Sequence, residues 1–552
     1  MSLARQAAMP PRPEPTFGAP RPLAALLEDQ ARQRPDQLAA IFPGQTLTYA
    51  GLRAQARALA RGLIADGVAP GDHVGIMIPN HQDFLVAHFA VQYAGGVGIL
   101  LNARFKSHEL RHAVPLTEVR AILTTDAIDD HVNLAGVLTD AFPELASQSA
   151  IAPLSLGGAP TLRRMIRFGA PWGPALTPAQ VADLADGQQA ALEAEIDRRL
   201  AAQDPEAVAA VIFTSGTTAN PKACMLSAAS LQRAWRTYLR FVRFQPGEKI
   251  WDPMPLFHSG GIGLLTAMTE IGGVFMSTPH FKAEEVLGLI RAHRIEHLYP
   301  GFQTLAVPVL SLPDYSAQSC AFVQSMVCVG PAGMQLKLQR MLPPHAPIMN
   351  LFGMSESSGV LFLADPAADE DLRLNSAGIA PPGVDIRILD PDTGAVLPPG
   401  QRGEIQFRGG GAFLGYYNDP ENTARTILPG GWVSTGDLGV LDANGWLQFQ
   451  GRLKDMLKVG GENVAAAEVE SFLSGHPAVK FVQVVGKPDD RMGELPVAFV
   501  ERNAGAELTA AELIAYCEGK IARFKTPVEV RFVTEWPMST TKVQKHRLKE
   551  LL

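Results

Sequence analysis

Apolar and polar residues follow two different rhythms along this chain. Residues 52–67 carry apolar side chains at the three- and four-residue spacing of an amphipathic helix, and the segment ends on Gly67, as helices often do. Helical stretches such as 283–295 separate short apolar runs. Those runs predict buried strands at 73–78, 97–101, 121–125, 210–215 and 273–277. Strands that alternate with helices indicate an α/β protein with largely parallel sheets.

After about residue 375 the pattern changes to short strands separated by turns. The segments GVDIRIL, GEIQFRG and GWLQFQG lie between turns rich in proline and glycine, which predicts a small β-rich subdomain. The rest of the chain predicts a compact α+β unit with helices at 465–475 and 509–522. We expect the following division: a flexible N-terminal arm at 1–24, a large domain at 25–451 whose β-rich part is 375–451, a hinge at 452–455 and a C-terminal domain at 456–552.

Residues 84–103 contain no charged side chain and have the length of a membrane span. They also contain His88, Gln92 and a glycine pair, so a buried helix at 84–94, followed by a turn and a strand, fits them better. The proline-rich N-terminus lacks the apolar core of a secretory signal. We therefore expect no transmembrane span.

Composition and charge narrow the classes of partner. The 552 residues are 47% hydrophobic and 19% charged, with a formal net charge of −7. This weakly acidic balance gives no basic field, so nucleic acid is not an expected partner. The four cysteines include no CxxC pair, which argues against a disulfide framework or a zinc site and favours a cytoplasmic location. The oligomeric state stays open, with a homodimer as the candidate.

The segment AVIFTSGTTANPKACM ends an apolar strand in a cluster of small polar residues. Ser215, Thr217 and Thr218 supply hydroxyls, Gly216 allows close approach of the backbone, and Lys222 supplies positive charge. These groups suit a chain of phosphates. The spacing does not match GxxxxGK followed by Ser or Thr, so this is not the loop of the P-loop NTPases. Taken alone, the segment also fits a plain turn.

Two carboxylates further along the chain could complete a nucleotide site. Glu356 in NLFGMSE follows a glycine turn, and a carboxylate near a triphosphate is a natural holder of Mg²⁺. Asp437 in STGD could accept two hydrogen bonds from a ribose diol. Arg452 and Lys454 lie in GRLKD, at the expected domain boundary. Surface turns and a solvated basic loop are the alternatives for these motifs in isolation.

Seven segments of the chain form an ordered series. They are TSGTTANPKA, PLFHSGG, VGPAG, NLFGMSE, STGD, GRLKDMLKVGGENV and PMSTTKVQK. The series resembles the adenylate-forming (AMP-binding) superfamily, which includes acyl-CoA synthetases, peptide-synthetase adenylation domains and beetle luciferases. The resemblance extends from about residue 25 to residue 549. It implies a large N-terminal domain, with two parallel-rich sheets, helices and a β-rich subdomain, and a small mobile α+β C-terminal domain.

The resemblance also implies an activity. An acyl-CoA synthetase activates a carboxylic acid as acyl-AMP, releases pyrophosphate and transfers the acyl group to coenzyme A. The implied cofactors are ATP, Mg²⁺ and coenzyme A. Because no carrier or condensation segment is fused to the chain, coenzyme A is the expected acceptor. The alternatives are an adenylating enzyme that loads a carrier protein or an amine, and a nucleotide-binding homologue with weakened catalysis.

The resemblance implies roles for individual residues. It assigns catalysis to Lys542, Glu356, Thr217 and His258, and Mg²⁺ coordination to Glu356 and Thr217. It assigns nucleotide binding to Thr214, Ser215, Gly216, Thr217, Thr218, Lys222, Gly330, Pro331, Ala332, Asn350, Leu351, Phe352, Gly353, Met354, Ser355, Asp437 and Arg452. The implied hinge is Lys454, and the implied approach of the thiol is lined by Gly460 and Gly461. The implied acyl pocket is lined by His258, Gly263, Tyr299, Gly301, Gly333 and Gly359.

The chain departs from the family pattern at several positions. Ala219 and Ala223 stand where the phosphate loop usually has glycine, and Thr541 precedes Lys542 where glycine is usual. If position 219 needs a positive φ angle, a side chain there costs on the order of 1 kcal/mol. We expect these changes to alter the rigidity of the loop or its affinity for nucleotide and to preserve activity.

One segment, HELRH, fits the HExxH pattern of zinc proteases. His108 and His112 would share a helix face, with Glu109 as a candidate base. The sequence offers no convincing third ligand, and the superfamily has an ordinary helix at this place. We therefore expect a helix without a metal ion.

Overall fold

A computed structural model describes residues 13–214, 221–330, 332–459, 462–538 and 543–552, and only the backbone of Lys454 and Asn463. Within these ranges, no helix has both the length and the apolar character needed to cross a membrane. The uncharged stretch at 84–103 forms a helix, a glycine turn and a buried strand, as the sequence predicts.

The strands, in chain order, are β1 Leu38–Phe42, β2 Gln45–Thr48, β3 His73–Met77, β4 Val97–Leu100, β5 Ala121–Thr125, β6 Arg164–Phe168, β7 Ala175–Leu176, β8 Val208–Thr214, β9 Lys222–Ser227, β10 Lys249–Trp251, β11 Val274–Met276, β12 His297–Phe302, β13 Ser325–Val329, β14 Ile348–Met349, β15 Leu351–Phe352, β16 Phe362–Leu363, β17 Gly378–Ile379, β18 Val384–Leu389, β19 Arg402–Gly409, β20 Ile427–Leu428, β21 Trp432–Leu441, β22 Trp446–Arg452, β23 Met456–Val459, β24 Glu462–Ala465, β25 Val479–Asp489, β26 Gly493–Arg502 and β27 Glu529–Phe532.

The α-helices, in chain order, are α1 Leu23–Gln33, α2 Tyr49–Ala65, α3 Gln82–Tyr93, α4 Ser107–Leu116, α5 Leu134–Ala141, α6 Pro178–Asp183, α7 Gln189–Ala202, α8 Ala228–Phe241, α9 Ser259–Ile271, α10 Ala283–His293, α11 Gln303–Leu310, α12 Ala332–Met341, α13 Glu370–Asn375, α14 Pro420–Thr426, α15 Ala466–Ser474, α16 Ala510–Cys517 and α17 Lys545–Lys549. Short 3₁₀ turns occupy Pro143–Ser147, Ser355–Ser357, Leu453–Asp455 and Arg523–Lys525.

Two sheets of seven strands form the large N-terminal part of the molecule. One has the order β7-β6-β5-β3-β4-β8-β9 and is parallel except for the β8–β9 hairpin. The other has the order β14-β13-β12-β10-β11-β1-β2 and is parallel except for the β1–β2 hairpin. Helices separate the parallel strands, which are buried and therefore read as continuous apolar runs in the sequence. The predicted α/β class is confirmed.

The side chain of Asn80 joins the carboxyl ends of the two parallel sheets. It follows β3 and donates hydrogen bonds to the carbonyl oxygen of Met254 and the hydroxyl of Ser277, both at 2.9 Å. Its own amide oxygen accepts a bond from the backbone of Leu256 at 2.9 Å. Since ligands of open α/β sheets bind beyond the carboxyl ends of strands, this junction lies where a site is expected.

A third sheet is antiparallel and has the order β15-β16-β17-β22-β21-β19-β18, with β20 paired to β21. It corresponds to the predicted β-rich subdomain, but it begins at Leu351, before the predicted start at 375. The earlier strands were not recognisable because each has two residues. Their inclusion places the NLFGMSE segment at the edge of the same sheet that carries Asp437 and Arg452.

A fourth sheet, β24-β23-β26-β25 with β27 beside β26, forms the C-terminal part. Its buried side chains form a separate apolar cluster that runs from Leu457 to Cys517. All four cysteines of the chain, Cys224, Cys320, Cys328 and Cys517, are buried and unpaired with one another. At the other end of the chain, Gly18 and Arg21 contact α8, through Arg236 and Gln232 respectively.

Candidate active site

The β8–β9 hairpin presents the predicted phosphate loop. Thr214 and Lys222 form the last pair across the two strands before the loop residues. The loop residues Ser215, Gly216, Thr217 and Thr218, together with Ala219, lie outside the described residues. Ala223 is buried within regular β9 and pairs with Phe213. Alanine adopts the extended backbone of a regular strand without strain, so position 223 does not need glycine.

Lys222 lies at the loop end of this hairpin and has two partners. Its Nζ donates a hydrogen bond to Oδ1 of Asn422 at 3.1 Å and lies 4.8 Å from the centre of the Tyr416 ring. A cation over an aromatic face is attracted by the negative charge of that face. Both of these partners are neutral, so the contacts orient the ammonium group without neutralising its positive charge.

The segment that carries Tyr416 runs along the hairpin. Leu414 donates a backbone hydrogen bond to Met225 at 2.9 Å, and Tyr417 donates one to Ala223 at 2.8 Å. An isolated bridge joins Tyr416 to Cys224. This backbone pairing fixes Tyr416, whose hydroxyl donates a hydrogen bond to Oε1 of Glu356 at 2.5 Å.

Glu356 lies in the 3₁₀ turn Ser355–Ser357, and only 8% of its surface is exposed. The sharp chain reversal here requires glycine at 353, because a Cβ atom at that position would lie 1.8 Å from the carbonyl oxygen of Gly359. Gly359 itself has a φ angle of +112°. Burial raises the pKa of Tyr416, and the nearby carboxylate of Glu356 raises it further. The hydroxyl therefore keeps its proton and acts as a donor to Glu356.

The segment around Asn350 forms the next wall of the site. The side-chain amide of Asn350 donates a hydrogen bond to the carbonyl oxygen of Gly330 at 3.3 Å, which holds the VGPAG and NLFGMSE segments together. The ring of Phe352 stacks on Phe449 with centroids 5.5 Å apart. Leu351 belongs to the same short strand, and Met354 begins the turn toward Glu356. Ala332 begins helix α12 beside these segments.

Asp437 and Arg452 face each other on neighbouring strands β21 and β22. The Arg452 Nε lies 3.3 Å from Oδ1 of Asp437. The Asp437 side chain is 6% exposed and that of Arg452 is 44% exposed. A buried carboxylate beside an exposed guanidinium can accept hydrogen bonds while the guanidinium contacts a second group. Lys454 follows in the 3₁₀ turn Leu453–Asp455, next to the predicted boundary.

The residues predicted to line the acyl pocket surround side chains that the sequence analysis did not single out. His258 immediately precedes α9, and its ring contacts Phe257 at 4.9 Å between centroids. Gly263, Gly359 and Tyr299 all lie against the indole of Trp235. Gly301 lies against Met254, and Gly333 lies in α12 near the backbone of Gly475 in the C-terminal part.

Several predicted site residues lie outside the described ranges. Besides the phosphate loop they are Pro331, Gly460, Gly461 and Lys542. Their predicted roles are carried by the sequence alone. The described residues predicted to bind nucleotide lie on the hairpin, on the antiparallel sheet and at the junction of β13 and α12. Most of those predicted to line the acyl pocket lie in or immediately before α9, or against Trp235.

The HELRH segment forms part of helix α4, as expected. Glu109 accepts a hydrogen bond from the backbone nitrogen of Lys106 at 2.9 Å and so serves the start of the helix. In the described part of the chain, the set of three metal-ligating groups within 4.8 Å of one another is Asp130, His131 and His280. Among the described residues, His108 and His112 are not part of such a set.

Comparison with known proteins settles the family. The profile of the AMP-binding enzymes matches residues 27–417, and that of the AMP-binding enzyme C-terminal domain matches residues 468–543. The chain belongs to the AMP-binding enzymes. The resemblance inferred from the seven ordered motifs is confirmed.

Named relatives of this AMP-binding enzyme include CoA ligases. YngI of Bacillus subtilis, provisionally named an acyl-CoA synthetase, is 30% identical over 537 residues that cover 96% of both chains. A feruloyl-CoA synthase of an Amycolatopsis species is 30% identical over 509 residues, 92% of this chain and 94% of its own. The crystal structure of ATP-bound MatB from Rhodopseudomonas palustris aligns with a TM-score of 0.78 and 26% identity, over 96% of this chain and 98% of MatB.

Proposed function

We propose that this AMP-binding enzyme is an ATP-dependent acid–thiol ligase. In the first step the carboxylate of the acid attacks the α-phosphorus of ATP, so that acyl-AMP forms and pyrophosphate leaves. In the second step the thiol of coenzyme A attacks the acyl carbon, so that acyl-CoA forms and AMP leaves. The observation that carries the proposal is the convergence of Lys222 and Glu356 on Tyr416, beside the phosphate hairpin. The names of the CoA ligase relatives support the choice of acceptor.

The described residues suit the charge problem of the first step. The acid and the triphosphate are both anions, so their approach needs positive charge at fixed positions. Lys222 is held at the base of the loop by Asn422 and the Tyr416 ring, and we assign it to the phosphates. Asp437 is assigned to the ribose hydroxyls, with Arg452 beside it. Asn350, Leu351, Phe352, Gly353, Met354 and Ser355 with Gly330, Pro331 and Ala332 are assigned to the walls around the adenine and α-phosphate.

The residues present fit one magnesium ion bound together with the nucleotide. Mg²⁺ usually takes one or two protein carboxylates and completes its shell with phosphate oxygens and water. Glu356 supplies a buried carboxylate whose orientation is fixed by the Tyr416 hydroxyl. Thr217 is assigned as a second oxygen ligand. When bound, the ion would neutralise charge on the pyrophosphate leaving group.

The second step needs room for the thiol. We assign Lys542 to the first step, Gly460 and Gly461 to the approach of the thiol, and Lys454 to a hinge between two arrangements of the C-terminal part. The proposed domain division at 452–455 is supported by the separate apolar cluster of the C-terminal part. A Cβ atom added at Gly333 of the large part would lie 3.9 Å from the backbone of Gly475 in the smaller part, so the two parts come close together here.

The proposal is tested with purified enzyme, ATP, Mg²⁺ and a panel of carboxylic acids. We expect acid-dependent release of pyrophosphate in the absence of a thiol, and acyl-CoA with AMP when coenzyme A is added. Mass spectrometry of the product identifies the acceptor. Adenylate without any acyl-CoA would favour a carrier protein or an amine as the acceptor. Pyrophosphate exchange that fails with every acid would refute an active ligase.

A further inference from the structure

Trp235 of helix α8 lies at the centre of the wall predicted to hold the acyl group. A Cβ atom added at Gly263 would lie 1.9 Å from its Nε1, and one added at Gly359 would lie 2.8 Å from the same atom. The ring of Tyr299 contacts the indole at 5.6 Å between centroids. Thus one large side chain meets three of the six residues expected to line the acyl pocket. The two glycines leave space at the wall, and the indole takes that space.

The position of the indole is fixed by a buried hydrogen bond. Its Nε1 donates to the carbonyl oxygen of Ser358 at 2.8 Å, and the whole residue has no exposed surface. Ser358 stands in the turn that carries Glu356 and has a φ angle of +57°. Moving the indole would leave its N–H and that carbonyl oxygen buried without hydrogen-bond partners, which costs free energy. A rotation of Trp235 to admit a long ligand is therefore opposed by the site itself.

Other large side chains pack around Trp235 and fill the space next to it. Tyr238, one turn further along α8, contacts both Trp235 and Tyr299 at ring separations near 6 Å (6.3 and 6.0 Å). Met254 lies against Gly301, where an added Cβ atom would meet its sulfur at 2.3 Å. These side chains are aromatic or sulfur-containing, and all are almost fully buried. Met254 is unbranched and can adjust to a ligand, whereas the three aromatic rings are packed against one another.

We propose that Trp235 forms the floor of the acyl pocket and limits this enzyme to acids with compact, uncharged acyl groups. The inference rests on the proposed ligase function, since it concerns the acid that this activity uses. An acyl chain that enters past His258 meets Trp235 between Gly263 and Gly359. A short chain or a single ring can stop above the indole. A long linear chain needs the volume that the indole fills.

The test compares chain-length preference in the wild type and in variants at position 235. The acids are acetate, butyrate, hexanoate, decanoate, palmitate and benzoate, and kcat/KM is measured for acyl-CoA formation. For the wild type we expect decanoate to be used at least about tenfold less efficiently than the best compact acid, since a pocket discriminates roughly tenfold or more for each group that it cannot hold. Trp235→Ala should shift the optimum to a longer acid.

Trp251→Phe is the matched control. Trp251 is also a buried tryptophan, but it belongs to a different apolar cluster and stacks on Phe281. It should change stability without changing the preferred chain length. Trp235→Phe keeps most of the volume while removing the bond to Ser358, so it provides a folded variant if the alanine variant does not fold. With Trp235→Phe we expect a smaller shift in the same direction.

Three results would overturn the proposal. If the wild type used palmitate as efficiently as hexanoate, Trp235 would not limit the length of the acyl pocket. An unchanged chain-length optimum in active Trp235→Ala and Trp235→Phe would place the floor elsewhere. An equal shift in Trp251→Phe would attribute the change to general loosening. If no acid is adenylated at all, the ligase function fails and this inference with it; that result differs from activity with the wrong chain length.

Discussion

The Tyr416 hydroxyl donates a hydrogen bond to Oε1 of Glu356 at 2.5 Å, while the ring of the same tyrosine supports the ammonium group of Lys222. The two charged groups expected to contact Mg²⁺ and the phosphates therefore share one neutral neighbour. We predict that Tyr416→Phe raises the Mg²⁺ concentration needed for half-maximal pyrophosphate exchange about tenfold. The variant frees the Glu356 carboxylate to rotate, and a bond to a charged group is worth about 1.5–3 kcal/mol.

Tyr417→Phe is the control for that variant. The Tyr417 hydroxyl donates to Glu118 at 2.6 Å on the surface, so its removal should leave the Mg²⁺ dependence unchanged. Binding of Mn²⁺ to the enzyme with ATP, followed by electron paramagnetic resonance, gives a readout that is independent of turnover. Equal Mn²⁺ affinity in wild type and Tyr416→Phe would rule out a positioning role for this tyrosine.

A second prediction concerns the ribose. Asp437→Asn should raise the KM for ATP by about tenfold to a hundredfold and leave the KM for the acid nearly unchanged, because an amide presents one acceptor where a carboxylate presents two. Asp385→Asn is a matched change in the same sheet, since Asp385 pairs across strands with Arg408 at 2.7 Å but is exposed. Initial rates at varied ATP distinguish the two. A normal KM for ATP in Asp437→Asn would remove Asp437 from the nucleotide site.

Position 353 must be glycine because the turn has no room for a Cβ atom there. Gly353→Ala should destabilise the protein by about 3 kcal/mol, because the added carbon would lie 1.8 Å from the carbonyl oxygen of Gly359 and the turn must distort. Gly288→Ala, on the exposed face of α10 with no atom nearby, should instead stabilise by about 0.5–1 kcal/mol. Denaturant unfolding measures both. A Gly353→Ala variant as stable as the wild type would contradict the geometry of the turn.

Ala223 provides a prediction against the family pattern. It lies in regular strand β9, paired with Phe213 and buried, so glycine there brings no conformational advantage. Ala223→Gly should cost about 0.5–1 kcal/mol of stability and leave the KM for ATP unchanged. Thermal unfolding and ATP saturation curves test the two parts separately. A lower KM for ATP would show that the loop gains from glycine at this position after all.

The histidine in α3 predicts a pH effect on stability. Burial lowers the pKa of His88 to about 4, and its ring lies between Phe84 and Phe89. In the unfolded chain His88 binds a proton below about pH 6.5. In the folded chain it binds a proton only below about pH 4. The unfolded state therefore holds more protons in this window, and stability falls as the pH decreases, by up to about 1.4 kcal/mol per pH unit.

The His88→Leu variant isolates this contribution. Its unfolding free energy should depend less steeply on pH between about 6.5 and 4 than that of the wild type. Above that window the two curves should run parallel. Chemical denaturation at a series of pH values gives the comparison. Parallel curves throughout the acidic window would mean that His88 is protonated in the folded protein.

Much of the fold was predictable from the sequence because buried parallel strands are continuous apolar runs. The strand predicted at 121–125 has the observed bounds, and that at 210–215 is observed as Val208–Thr214. The two-residue strands around Leu351 were not predicted, because they are too short to show the alternation of apolar and polar residues that marks a strand. The charged residues assigned to the site were proposed from their chemistry and from the order of the motifs.

The neutral neighbours of those residues were not predictable in the same way. Tyr416 and Glu356 are 60 positions apart, and nothing local in either segment indicates their hydrogen bond. Trp235 stands on an amphipathic helix, where an aromatic residue is expected in any core. Its proposed role depends on its contacts with Gly263 and Gly359, which come from two other segments. Only the tertiary arrangement shows which large side chain uses the space that a glycine provides.

Because Cys224, Cys320, Cys328 and Cys517 are all buried, we expect the native enzyme to react only slowly with thiol reagents. Burial raises the pKa of the Cys224 thiol, and the nearby Glu356 raises it further, so the reactive thiolate is scarce even there. A colorimetric thiol reagent added to samples of a reaction mixture would therefore report the free thiol of coenzyme A alone. The same reagent, added to an enzyme that has lost its structure, would react with four groups per chain and count the unfolded molecules.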